Sequence, residues 1–184
     1  MVGATLHMPE GAPVSYPFSA LRDGDSLKIG SVTLEALRTP GHTPESTSYL
    51  LDGRALFSGD TLFVSAVGRP DLHSTPEGSR EKARELYRSL QRLLALGLET
   101  LVLPGHTSEP VAFDGEPICA PLSEVHESVR ALREAEDAFV EEIAGHVSPT
   151  PSNFERIVEL NRAGEAPEGD PTELEAGANR CAAG

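Results

Sequence analysis

Three segments of the chain finish in the same way. "TLEALRTPGH" ends at His42, "RALFSGD" at Asp60 and "ETLVLPGH" at His106. Each is an apolar, strand-like run, then a tight corner containing Gly, then a side chain able to bind a metal ion. The glycine lets the chain turn without a Cβ clash and brings backbone close to a ligand. A side chain just past a strand end is anchored by the sheet yet points out of it. If the three strands are neighbours, His42, Asp60 and His106 converge at one sheet edge. Two imidazoles and a carboxylate suit Zn2+, Fe2+ or Mn2+, and with open positions the same set is the facial arrangement of non-haem iron oxygenases. One histidine after a strand is commonly a loop residue, and an Asp after Gly is commonly a turn former. Three copies of the pattern in one short chain carry the metal reading.

Other residues carry less. Arg69 and Asp71 of "GRPDL" follow Asp60 on a loop. They are candidates for lining the same cleft, with a structural Arg–Asp turn pair as the alternative. His7, His73, His126 and His146 lack such a corner, and the last two lie on or beside an acidic helix. There is no GxSxG elbow, no Walker A loop and no GxGxxG before a helix. Cys119 and Cys181 fit neither CxxC nor a disulfide framework. They are expected to be reduced thiols of a cytoplasmic protein.

The elements that must position these residues follow from periodicity. "SLKIG" and "SVTLEALRT" read as a hairpin at Gly30-Ser31, with Val32, Leu34 and Ala36 alternating against Thr33, Glu35 and Leu37 as in a half-buried strand. "STSYLL" and "RALFSG" pair around Asp52-Gly53, and "ETLVLPGH" holds a short buried strand. Ala83, Leu86, Tyr87, Leu90, Leu93 and Leu94 predict a helix over 77–96, preceded by "PEGS" and stopped at Gly97. Val125, Val129, Leu132, Phe139 and Ile143 predict one long amphipathic helix inside 122–145. "TPSNFERIVELNRAG" predicts a last helix, capped by Ser152 or Asn153 and ended near Gly164. The order of strands, helix, strand, helices fits a layered α/β domain with helices on a sheet.

Composition limits the function. A length of 184 residues suits one domain, and hydrophobic residues at 39% without Trp leave the packing to Leu, Val and Ala. A net charge of −14 argues against nucleic acid and anionic membrane surfaces as partners. No signal-peptide pattern is present, and no apolar run approaches the roughly 18 residues of a membrane span.

"TPGHTPESTSYLL", "LFSGDTLF", "VGRPDL", "LYRSLQRLLAL" and "LVLPGH" together resemble the metallo-β-lactamase superfamily. Within it they most resemble the persulfide dioxygenase branch and its glyoxalase II relatives. "SNFERIVELN" followed by "ELEAGANRC" also looks like bacterial members of that branch. The resemblance implies an αββα sandwich with a metal site at one edge of its sheets. It implies that His42 and Asp60 are metal ligands, that Asp60 bridges two metals in binuclear members, and that His106 binds the second metal in those members and stands behind the ligands where only one iron is bound. It also implies that Arg69 and Asp71 shape the substrate pocket. The family's HxHxDH motif does not occur in this sequence, and only His7 precedes His42. The expectation is therefore a fold truncated at its N-terminus, with residues 1–166 forming the later part of the domain and 167–184 a polar, irregular tail.

The implied activity is oxidation of glutathione persulfide by O2 to sulfite and glutathione at a mononuclear Fe2+. Zn2+ or a binuclear site is the alternative. The expected partner is a small thiol or persulfide substrate, and the chain alone is expected to be impaired. Two other readings remain: a glyoxalase II-like thioester hydrolase, and a non-catalytic remnant that binds or supports another molecule. Lacking its first strands, the chain is expected to expose apolar sheet surface and to self-associate as a homo-oligomer.

Overall fold

The computed structural model describes residues 3–107, 111–112, 114–145, 150, 152–174 and 182–183. Strands β1 (His7–Pro9) and β2 (Ser19–Leu21) form a small parallel pair. Then come β3 (Ser26–Ile29), β4 (Val32–Arg38), β5 (Thr47–Leu51) and β6 (Ala55–Gly59). They run as an antiparallel meander, with Ile29 opposite Val32 across the Gly30-Ser31 turn. At the β5–β6 turn, Asp52 and Gly53 both take positive φ, 47° and 67°, the backbone that the right-handed strand twist prefers in a tight hairpin. Strand β7 (Val67–Gly68) leads to helix α1 (Pro76–Leu94), and β8 (Leu101–Pro104) returns parallel to β6. Strand β9 (Ala120–Pro121) closes a six-stranded sheet ordered β3-β4-β5-β6-β8-β9.

Helix α1 starts where its sequence caps it. The Thr75 hydroxyl accepts from the Gly78 N–H at 3.1 Å, and Pro76 occupies a first-turn position that needs no donor. The "PEGS" segment is thus the first helical turn rather than a boundary ahead of it. Its apolar stripe, Ala83, Leu86, Leu90 and Leu93, is buried in one cluster with Leu37, Leu50, Leu56 and Val102 of the sheet.

The long helix expected over 122–145 is broken. The structure has α2 (Leu122–Ser128), a 3-10 turn at Arg130–Arg133, and α3 (Glu136–Gly145) packed on α1. Val129 and Glu134 are extended, with ψ of 97° and 158°. The break lets Val129, Ala131 and Leu132 all enter the core. A straight helix turns about 100° per residue, so it would place Ala131 on the side opposite Val129. Helix α4 (Phe154–Ala163) ends at Gly164 in the left-handed region, as its sequence indicates. Asn153 holds the N-cap position without a capping bond, and its amide instead donates to the Glu173 and Leu174 carbonyls. The segment expected as an irregular tail contains a 3-10 turn at Pro171–Glu173 and a strand β10 (Ala182–Ala183) paired antiparallel with β7. Cys181 and His146 lie outside the described residues, and Cys119 is an exposed free thiol.

The sheet is apolar on both faces. Leu37, Leu50, Leu56 and Val102 face the helices. The alternating set Val32, Leu34 and Ala36 faces the other way, in register with Leu51 and Tyr49 and, further on, Phe57 and Leu103. On that outer face Ile29, Phe57 and Leu101 are 55%, 42% and 42% exposed. Among the described residues, one layer of helices covers one face of the six-stranded sheet.

Candidate metal centre

His42, Asp60 and His106 follow the C-terminal ends of β4, β6 and β8. Because β6 and β8 are parallel neighbours, Asp60 and His106 emerge at the same sheet edge. Two of the corners ahead of them are closely packed at their glycines, while Gly59, ahead of Asp60, has open space but a positive φ of 53°. A Cβ on Gly41, whose φ is 137°, would lie 2.4 Å from the Leu86 backbone of α1. One on Gly105 would lie 2.7 Å from the Asp60 carboxylate.

Asp60 stands between the two histidines. His106 Nδ1 donates to Asp60 Oδ1 at 2.6 Å, and His42 Nε2 lies 3.8 Å from Asp60 Oδ2. His42 is buried, and its Nδ1 lies 2.8 Å from the Arg69 carbonyl. A carbonyl only accepts, so the proton sits on Nδ1 and the lone pair of neutral imidazole sits on Nε2, facing Asp60. Two ligands about 2.1 Å from one ion lie roughly 3.4 Å apart at the tetrahedral angle. His42 and Asp60 therefore fit as two ligands of a small cation. Among the described residues no group of three or more His, Cys, Asp or Glu side chains is arranged to hold an ion. His106 spends its Nδ1 on Asp60, which leaves its Nε2 directed elsewhere.

Arg69 and Asp71 are placed one layer further in. Arg69 is 1% exposed, and its guanidinium makes a two-pronged pair with the Asp71 carboxylate. Burial disfavours the charged Asp71, but the hydrogen bonds and charge of Arg69, helped by a backbone donor and Lys82, outweigh it and hold the pKa below the usual carboxylate value. The pair fixes the loop whose Arg69 carbonyl fixes the His42 ring. His7 and His73 lie away from Asp60's hydrogen bonds; His73 has a positive φ of 51° and its ring meets that of Phe154 at a tilt of 45°.

Two features of the site lie outside the strand–Gly–ligand pattern. Gly68 packs so closely that a Cβ there would sit 1.9 Å from the Asp60 carbonyl oxygen and 3.0 Å from His42 Cβ. Beneath the corners, buried hydroxyls join the strand ends. Thr39 Oγ1 meets Ser48 Oγ at 3.0 Å and Thr61 Oγ1 at 3.1 Å, while Ser58 Oγ donates to the Leu62 carbonyl at 2.6 Å. The Thr in "RTPGH" and the Ser and Thr in "FSGDT" were the available signal, since a polar residue beside each corner needs a partner once buried.

Residues 3–106 match the description of the metallo-beta-lactamase superfamily. A hydroxyacylglutathione hydrolase of Methylococcus capsulatus is 40% identical over 129 residues, covering 67% of this chain and 47% of that protein. An uncharacterized protein of Mycobacterium leprae is 47% identical over 88 residues, covering 46% of this chain and 38% of that protein. Among solved structures, ETHE1 from Myxococcus xanthus superposes with a TM-score of 0.72 at 32% identity, covering 89% of this chain and 67% of that one. A metallo-beta-lactamase from Staphylococcus aureus superposes with a TM-score of 0.75 at 26% identity, covering 89% and 52%. The chain thus spans less than half the length of these two curated relatives. Metal binding is general in this family, and no helix among the described residues is long and apolar enough to cross a membrane. With the strand-end His and Asp residues, the sheet that carries them and the match over residues 3–106 in agreement, the chain belongs to the metallo-beta-lactamase superfamily.

Proposed function

We propose that His42 and Asp60 are part of an Fe2+ site that oxidises glutathione persulfide. The overall change is GSSH + O2 + H2O → GSH + SO3(2−) + 2H+, in which the outer sulfur is oxidised and O2 is reduced. The observation that carries the reading is the His42–Asp60 pair, a tautomer-fixed imidazole nitrogen facing a carboxylate at a distance one ion can bridge. The "VGRPDL" loop that holds His42 favours the persulfide branch. Bound iron would supply the site at which O2 and a persulfide sulfur meet.

The chain's own residues do the rest. The Arg69 carbonyl keeps His42 Nδ1 protonated, so Nε2 stays available as a ligand. His106 holds the Asp60 carboxylate in one orientation. Arg69 and Asp71 act on substrate through the loop they rigidify. With only His42 and Asp60 as ligands among the described residues, iron binding by this chain should be weak and turnover low.

Anaerobic Fe2+ titration, metal analysis and oxygen uptake with glutathione persulfide test the reading. Weak binding that disappears in Asp60→Ala and His42→Ala is expected. Equal metal uptake by both variants and the unaltered chain would falsify it. The identity with a hydroxyacylglutathione hydrolase favours a second reading, hydrolysis of a glutathione thioester with Zn2+ or two metals. Release of thiol from a hydroxyacyl-glutathione without oxygen uptake would select it.

A further inference from the structure

A cavity of about 480 Å3 opens beside His42, between the segment from Met8 to Tyr16, residues 42–45 and α4. Its size is that of a small-molecule pocket, and its wall is mostly apolar, with Val14, Leu72, Phe154 and Val158 among the lining residues. Into it face two opposite charges, Lys82 from α1 and Glu45 from the loop after His42. Both are partly buried. Lys82 Nζ donates to the Leu72 carbonyl at 2.7 Å, which leaves two of its N–H groups uncommitted. Among the described residues Lys82 makes no ion pair, and the Glu45 carboxylate makes neither an ion pair nor a side-chain hydrogen bond. Burial, the largest effect, lowers the Lys82 pKa, against the opposing charges of Asp71 first, then Glu45 and Glu85. Arg162 and His73 also line the cavity but are exposed, at its rim.

Lys82 and Glu45 are thus partly desolvated charges with no direct ion-pair partner among the described residues, so a ligand that answers both gains a charge-assisted contact from each. The complementary group carries both a carboxylate and an ammonium. We propose that Lys82 and Glu45 bind the zwitterionic α-amino-acid head of the substrate, Lys82 taking its carboxylate and Glu45 its ammonium. This rests on the reading that the substrate's sulfur reacts at His42 and Asp60. The two residues determine specificity and take no part in the chemistry.

The test uses metal-free protein and S-methylglutathione, whose blocked sulfur separates head-group binding from metal binding. Calorimetry should give a Kd that rises about tenfold in Lys82→Gln and in Glu45→Gln, the loss of one charge-assisted contact. N-acetyl-S-methylglutathione, which lacks the ammonium, should bind the unaltered protein about tenfold more weakly. That discrimination should vanish in Glu45→Gln and persist in Lys82→Gln, a pattern that general unfolding does not produce. No binding by the unaltered protein, unchanged affinity in either variant, or equal affinity for the two ligands overturns the assignment. Metal uptake on the same samples reports on His42 and Asp60 separately. Its failure with head-group binding intact removes the reaction reading and leaves the pocket.

Discussion

At the scale of residues, the His42 ring is set by a short relay: Asp71 holds Arg69, and the Arg69 carbonyl holds Nδ1. Removing Asp71 leaves a buried guanidinium short of its carboxylate, so Asp71→Asn should cost about 3–5 kcal/mol in urea unfolding. The pH dependence has a definite sign. The Asp71 pKa is lowered in the folded chain. Its stabilisation is therefore complete above the unfolded value of about 3.9 and drains away as pH falls through the lower folded value. The gap between the unaltered chain and Asp71→Asn should be flat above about pH 5 and should shrink below it. A gap that persists undiminished well below the folded value would contradict the relay. Gly68→Ala should be more damaging than its size suggests, because the new methyl meets the Asp60 carbonyl and His42 together. The overpacking should cost at least about 1–3 kcal/mol, and Fe2+ uptake should fall with it. The glycine corners before His42, Asp60 and His106 were legible because sharp turns demand a residue type. Gly68 was not, because its demand comes from segments distant in sequence.

Elements were legible in proportion to how local their causes are. Helix α1 carries its own cap and its own stripe, and the hairpins carry their turn residues. The 122–145 segment reads as one helix because its apolar spacing is helical. What splits it is the need to bury Ala131 along with Val129 and Leu132 against a surface the sequence does not display. The β4 alternation announced a strand, but its two sets are alike in burial, and Leu37, from the set taken as solvent-facing, is what α1 covers. Holding the strand ends together falls to the buried hydroxyls. Thr39→Val leaves Ser48 and Thr61 each short of a partner, and should lower stability by about 1–3 kcal/mol. It should also loosen His42, seen as a change in its imidazole NMR signals. Unchanged stability would mean that water replaces Thr39 without cost.

For the whole molecule, two forces oppose each other across the outer sheet face. Exposed Ile29, Phe57 and Leu101 favour association, and a net charge of −14 resists it. Salt weakens the second and leaves the first, since the Debye length falls from about 10 Å at 0.1 M to about 3 Å at 1 M. We expect sedimentation to show association that grows with salt and recedes in Phe57→Glu. A monomer at every ionic strength would count against an uncovered face. The parallel pairing of β6 with β8 bears on time as well as geometry. Asp60 and His106 are 46 residues apart, with α1 between them. At about 5–20 residues per second of synthesis, His106 leaves the ribosome some 2–9 s after Asp60. His42 is made before Asp60, and the β4–β5–β6 meander that unites them needs only local turns. The aspartate is thus expected to meet its two histidines in order, one while the hairpins form and the other seconds later, so that the proposed metal site is half-built while the chain is still being made.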